Sequence, residues 1–261
     1  MRRNSTDGAW ERWAAADRYY AVCTRPEFMS AKLDETSVRS FFESGEKHVE
    51  WIFRTVAERL DAHFKPRVAL DFGCGVGRIA IPLAKRCERL IGVDVSEAML
   101  QEARKNLGER GLGNVDLLKS DDSLSQVPFG YDFLHSYIVF QHMQRSRGLA
   151  LTRKLVDRLG QGGIGALHYM FLSPEPFPVR MSKWVQTNVP LTQSVINLLR
   201  GRSWGHPLMQ MNVCSLNGLF RVLYEAGCSR LCSEFTNHGG YIGVVLFFVK
   251  DVEQTVRGYR P

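Results

Sequence analysis

The stretch Asp71-Phe72-Gly73-Cys74-Gly75-Val76-Gly77 follows a short apolar run, residues 68–72, and opens a helical pattern. Glycines in that position let the chain turn sharply and bring backbone close to a ligand. The start of the helix adds unpaired N–H groups. A dinucleotide needs G-x-G-x-x-G, with its pyrophosphate on the helix N-terminus. Here the third glycine comes one residue early, at Gly77, and Arg78 stands in its place. Asp71, two residues before the first glycine, would repel a pyrophosphate but can accept hydrogen bonds from an ammonium group.

Outward from this loop the pattern alternates. Residues 90–95 read as a second strand, and Ser96 can cap a helix running to about Gly111. Residues 115–118 read as a third strand. Residues 131–140 read as a fourth, apolar throughout as a strand covered on both faces should be. A helix over 147–159 and a strand over 164–171 continue the alternation. Repeats of this kind predict a parallel sheet with helices on both faces, and ligands of such sheets bind outside the carboxyl ends of the strands. Upstream, Val49, Ile52, Phe53, Val56 and Leu60 recur at helical spacing within 37–63, and Pro66 stops the pattern. Downstream, residues 172–212 break the rhythm with prolines, aromatics and basic residues, which predicts a lid or binding insertion. A helix over 216–226 follows. Two strands, 229–236 and 241–249, are joined by Asn237-His238-Gly239-Gly240 and must form an antiparallel hairpin. The expected organisation is a helical cap segment over 1–65 and one α/β domain over 66–261 carrying the insertion.

The run 68–84, VALDFGCGVGRIAIPLA, resembles the first motif of class I S-adenosylmethionine (SAM)-dependent methyltransferases, roughly D/E-x-G-x-G-x-G. The resemblance covers residues 66–170 by pattern and 215–250 by topology. It implies a Rossmann-like, seven-stranded sheet, mostly parallel with the last strand antiparallel, and SAM as cofactor with S-adenosylhomocysteine (SAH) as product. Gly73, Cys74, Gly75 and Gly77 would form the cofactor loop, with Asp71 behind it. Asp94 ends the second strand, where a carboxylate can accept both ribose hydroxyls; the capping role falls to Ser96. By resemblance, Val95 and Met99 contact adenine, although Met99 also reads as core. An acidic residue after the third strand, Asp121 or Asp122 with Asp121 favoured, meets the adenine amino group. Ser136, Tyr137 and the neighbouring His135 pass beside the methionine moiety. Gln141 and His142 follow on the substrate side, and His142 reads as structural rather than catalytic.

Transfer from a sulfonium asks the protein chiefly to hold a nucleophile about 3–3.5 Å from the methyl carbon. A hydroxyl acceptor benefits from a base, worth roughly 10²–10⁴-fold. His238, in the turn after the sixth strand, is the first candidate. His168, inside the fifth strand, is the second, and Trp204 and His206 in the insertion are substrate-side candidates. The compact single domain with its own lid points to a small-molecule acceptor methylated at oxygen or nitrogen. A lean towards Arg and Lys over 171–230 suits a polar or anionic one. RNA or protein is the alternative acceptor, but the D/N-P-P-Y/F motif for base amino groups is absent and no cysteine sits where cytosine-C5 enzymes place their nucleophile. A fold that holds the cofactor without transfer, or a nicotinamide oxidoreductase, are further readings; the glycine spacing disfavours the second.

Composition sets the remaining bounds. The 261 residues, 44% hydrophobic and 23% charged, suffice for one sizeable core and give no sign of wholesale disorder. The net charge of +7 permits an anionic partner without demanding one. Six cysteines without a C-x-x-C pair read as reduced thiols in a cytoplasmic protein. No metal site, signal peptide or membrane span is read from the sequence, and nothing in it sets the oligomeric state.

Overall fold

The computed structural model describes residues 6–189, 192–199, 201, 204 and 209–251. The glycine stretch lies where it must to organise a sheet. Strand β1 (Val68–Phe72) is central, flanked by β2 (Arg89–Asp94) and β4 (Tyr131–Ser136), with β3 (Val115–Lys119) at one edge. On the other side follow β5 (Leu159–Leu172), β7 (Tyr241–Lys250) and β6 (Cys228–His238), giving the order β3-β2-β1-β4-β5-β7-β6. Strands β1 to β5 run parallel, and β7 is antiparallel to both β5 and β6. The seven-stranded α/β sheet with its antiparallel last strand is thus as the sequence implied.

Helices cover both faces. Alternate strand residues Ala69, Leu90, Phe133, Ile164, Val245 and Phe247 pack under α2 (Glu35–Arg59) and α3 (Ala80–Ala84). The opposite set, among them Leu70, Ile91, Leu134, Leu167 and Leu246, packs on α5 (Arg145–Arg158) and α8 (Leu216–Glu225). A third, aromatic cluster joins α1 (Thr6–Val22) to α4 (Glu97–Gly108) through Trp13, Tyr19, Phe41, Met99 and Leu107. Burial on both faces is why the strands read as near-continuous apolar runs.

Local signals explain the boundaries. Asp34 and Ser37 form a capping box that starts α2, with bonds of 2.7 and 2.8 Å. Ser96 caps α4 by accepting from the Met99 N–H at 3.2 Å. The hairpin turn is shorter than expected: His238 still pairs with Tyr241, and Gly239 and Gly240 alone make the bend, at φ of 64° and 91°. Two successive positive φ values match the twist of a two-residue hairpin. Strand β4 stops at Ser136, four residues early, because Ile138 adopts φ 59° and turns the chain out of the sheet. A β-branched residue in that region is strained, and such strain concentrates at functional sites.

Within 172–212 lie two helices, α6 (Phe177–Asn188) and α7 (Thr192–Leu199). Among the described residues no helix is long and apolar enough to cross a membrane.

The α2 helix meets the glycine loop at Gly45, where a Cβ would lie 2.0 Å from the Arg78 carbonyl oxygen. Backbone cannot yield as a flexible side chain can. Gly45→Ala is expected to destabilise the fold by about 1–3 kcal/mol, the usual cost of overpacking. Urea unfolding checks this; an unchanged midpoint would show that α2 is not seated on the loop.

Candidate active site

The end of β1 is tied to β2 by backbone alone. Gly73 and Cys74 N–H groups donate to the Val93 carbonyl at 2.7 and 3.0 Å. Gly75 N–H donates to Asp94 Oδ2 at 2.9 Å, and Ser96 N–H donates to Asp94 Oδ1 at 2.9 Å. The glycines are required here. Gly73 has φ 80°, and a Cβ on it would meet Val139 Cγ2 at 2.3 Å. The loop therefore forms a wall of bare backbone.

Beyond it opens a partly enclosed cleft. Gly73, Cys74, Gly75, Asp94, Val95, Met99, Tyr137 and His142 all line it, as the sequence suggested. Each Asp94 oxygen spends one lone pair on backbone and keeps another for a ligand. Burial raises the Asp94 carboxyl to about 6, against the backbone bonds, which lower it.

Several expected residues lie elsewhere. Asp71 is buried and does not line the cleft; strand alternation turns it towards α2, where His135 Nδ1 lies 2.8 Å from its Oδ1. It is not placed to meet an ammonium from the cleft directly. Gly77 shapes the turn, at φ 92°, without lining the cleft. Ser136 is buried and donates to the Phe72 carbonyl at 2.8 Å, stitching β4 to β1. Asp121 closes a turn, accepting from Ser123, Ser125 and the Ser125 N–H, which lowers its carboxyl. Asp122 pairs with Arg147 at 2.7 Å. Neither aspartate lines the cleft; Ser120 does. Gln141 is fully buried off the cleft, and its carbonyl accepts from the Asn212 N–H at 2.7 Å. Trp204 is half-exposed and lines none of the described cavities. His206 lies outside the described residues.

His142 is held by structure, as expected. Its Nδ1 is 2.8 Å from the Gln210 carbonyl, so Nδ1 carries the proton, and Trp10 packs edge-on at 5.0 Å. Burial pushes its pKa down to about 4.

Other residues were not foreseen. Arg78 is buried against the cleft, donates to Ser44 Oγ at 3.2 Å, and leaves Nε without a partner. Among the described residues no carboxylate pairs with it. Burial lowers its pKa, the mark of a cation short of compensating charge. From α1, Thr6, Asp7, Trp10, Ala21 and Val22 roof the cleft. Arg147 latches that roof: it holds Asp7 in a two-pronged bond at 2.7 and 3.0 Å while also holding Asp122. The run RSRGLALTRK reads as an ordinary amphipathic helix, so no local signal marks Arg147.

Around Tyr137, behind the lining of the cleft, four imidazoles gather from four elements. His168 is fully buried in β5, with Nε2 2.9 Å from Thr236 Oγ1 and Nδ1 unpartnered. His238 is half-buried, its Nε2 unpartnered and its ring 5.2 Å from that of His168. Burial pushes His168 down to about 3 and lowers His238. His48 of α2 packs on Tyr137 with ring centroids 4.0 Å apart. His135 of β4 completes the set, its Nε2 3.0 Å from His48 Nε2. Gly243 makes room on β7: a Cβ there would lie 2.4 Å from His168 Nε2. A glycine inside a strand was the available sign of that close approach.

Comparison with known proteins agrees with this geometry. Residues 69–163 match the family model of a methyltransferase domain. The magnesium protoporphyrin IX methyltransferase ChlM from Synechocystis PCC 6803, solved with bound SAM, superposes with TM-score 0.60 at 17% identity, covering 95% of this chain and 98% of that one. The N-methyltransferase NodS from Bradyrhizobium japonicum WM9, in complex with SAH, gives TM-score 0.58 at 14% identity, covering 94% and 98%. A curated relative, the 23S rRNA (uracil(1939)-C(5))-methyltransferase RlmD of Marinomonas sp. (strain MWYL1), is 28% identical over 127 residues, 43% of this chain and 29% of its own length. The fold is that of these solved methyltransferases.

The raised Asp94 carboxyl has two consequences of opposite sense. Without ligand its folded value, about 6, exceeds its ordinary 3.8. The group therefore favours the fold below its ordinary pKa, and that contribution is lost as pH rises to about 6. Ligand hydroxyls donate to the ionised form, so affinity for SAM or SAH is expected to hold above about pH 6 and to fall below it. Calorimetry against pH checks this; an affinity flat from pH 5 to 8 would show that Asp94 meets no hydroxyl donor.

Proposed function

We propose that the protein binds SAM in the cleft and transfers its methyl group to the oxygen or nitrogen of a small-molecule acceptor. One observation supports the reading of the acceptor: Tyr137, which lines the cleft, is backed by His168 and His238, with ring centroids 4.9 to 6.0 Å apart and two buried ring nitrogens unpartnered. Such a wall suits a small ring or chain bearing one polar group.

The residues present fit the cofactor. Asp94 offers free lone pairs to ribose hydroxyls, and Val95, Met99 and Val93 give an apolar bed for adenine. Arg78, a buried cation without a carboxylate, is matched to the carboxylate of the cofactor's amino acid. When bound, SAM supplies a methyl on a sulfonium, which leaves as a neutral thioether once the acceptor lone pair takes the methyl. The chain's own task is to orient the acceptor, exclude water and remove a proton. The imidazoles stay neutral at physiological pH, since burial lowers their pKa values, so their lone pairs are available. Helices α6 and α7 would cover the acceptor as a lid, and α1 would cover the cofactor.

This chain spans only 29%, 18% and 21% of the lengths of three RNA-methylating relatives that it matches. Methylation at C5 of a uracil needs a nucleophile to activate the ring carbon. Cys74 is the one thiol among the described residues that lines the cleft, and burial holds it well above the usual thiol pKa, far from thiolate. This disfavours that chemistry here.

Labelled SAM, offered with phenols, amines and total RNA in parallel, tests the proposal. Label is expected in a small acceptor; label in RNA alone would overturn it. Asp94→Ala is expected to weaken SAM binding by about 1–3 kcal/mol, the scale of charge-assisted hydrogen bonds. His238→Ala is expected to lower turnover with cofactor affinity nearly intact, and a fully active variant would remove His238 from the acceptor site.

A further inference from the structure

Asp71 and His135 are neighbours in register on β1 and β4, and both point to the face that α2 covers. His48 comes down from α2 to meet them. The result is a linear array in the core: Asp71 Oδ1, 2.8 Å to His135 Nδ1, and His135 Nε2, 3.0 Å to His48 Nε2. All three side chains are buried. An array of this kind admits one ordering of protons. A carboxylate accepts only, so His135 donates from Nδ1. Its Nε2 must then accept in the neutral ring, so His48 donates from Nε2. His48 is left with its lone pair on Nδ1, which makes no hydrogen bond among the described residues. Its ring packs on Tyr137, which lines the cleft.

Compare the other two imidazoles. His168 has only the Thr236 hydroxyl behind it, and His238 has no partner at Nε2. Neither has a carboxylate to stabilise it once charged. Carboxylate support is what lets a buried imidazole accept a proton during a reaction.

We infer that Asp71, His135 and His48 form a buried proton relay serving the acceptor end of the cleft, with His48 Nδ1 the entry point, and that the acceptor it serves carries an ionisable hydroxyl, phenol-like in character. The inference rests on the proposed methyl transfer. A hydroxyl oxygen is a weak nucleophile until its proton is taken, which gives such a device its use, whereas a weakly basic arylamine attacks as the neutral molecule it already is. The balance is simple. The acceptor O–H proton passes to His48 Nδ1, the Nε2 proton of His48 passes to His135 Nε2, and the resulting imidazolium sits against the Asp71 carboxylate. The acceptor oxygen keeps the electron pair that will form the new O–C bond. The groups facing His48 are His135 and Tyr137 of β4, Asp71 of β1, Arg78 of the glycine loop, His168 of β5 and His238 of β6. Arg78 and the imidazoles oppose a charge on His48 itself, which is why the charge must move on to His135 beside the carboxylate.

The test needs no knowledge of the natural acceptor. The full chain, saturated with SAH, is titrated with para-nitrophenol, whose ionised form is yellow. The wild type is expected to ionise the bound phenol more strongly than water does, by roughly tenfold at fixed pH, one unit of pKa. H48Q and D71N are expected to lose that effect, whereas H63Q, at an exposed histidine outside the cleft and the array, is expected to keep it. Nitrogen-labelled histidine spectra of the wild type give a second readout: His135 should carry its proton on Nδ1 and His48 on Nε2. No enhanced ionisation in the wild type, or enhancement that survives H48Q, would overturn the relay, as would the reversed tautomers. Failure of the methyltransferase reading shows separately, as absence of SAM and SAH binding by calorimetry.

Discussion

The structure depends on a short set of backbone hydrogen bonds at the mouth of the sheet. Two N–H groups of the glycine loop converge on the Val93 carbonyl, and a third reaches Asp94. These bonds hold the loop against the end of β2, so that bare backbone, a carboxylate and the start of a helix face one space. The rest follows from that register. Val139 can close on Gly73 only because no Cβ stands there, and Ile138 must strain to bring Val139 and Tyr137 to the same wall. The α2 helix can sit on the loop only because Gly45 offers no side chain to Arg78.

The fold was largely legible in the sequence, for a physical reason. Strands buried on both faces are written as apolar runs, and the caps and turns that separate them use few residue types. The Asp34–Ser37 and Ser96 caps and the Gly239-Gly240 bend are local features. Much of the lining of the cleft was legible too, since it is built from the loop and from the ends of consecutive strands. Asp94, Val95 and Met99 fall on one short stretch.

What escaped was set by tertiary register. That Asp71 faces α2 rather than the cleft depends on which way β1 is phased, and the glycine loop conceals this. His135 stands in an otherwise apolar strand, a sign of a buried polar contact, but its partner His48 is 87 residues away on a helix whose face was read only for its apolar stripe. Asp121 looked like a ligand and is a turn residue, satisfied by serines two and four residues on. The boundary of β4 was missed because a positive φ at isoleucine has no signature in composition.

The salt-bridged roof has its own implication. A single guanidinium, Arg147, grips α1 through Asp7 and the loop after β3 through Asp122, and it does so at the rim, where water and ions reach it. Contacts of that kind weaken as mobile ions screen them. Entry and exit of the nucleoside would then be paced by how often the rim clasp lets go, quickening in brine and slowing in dilute buffer, while the chemistry deeper in the fold stays indifferent to ionic strength.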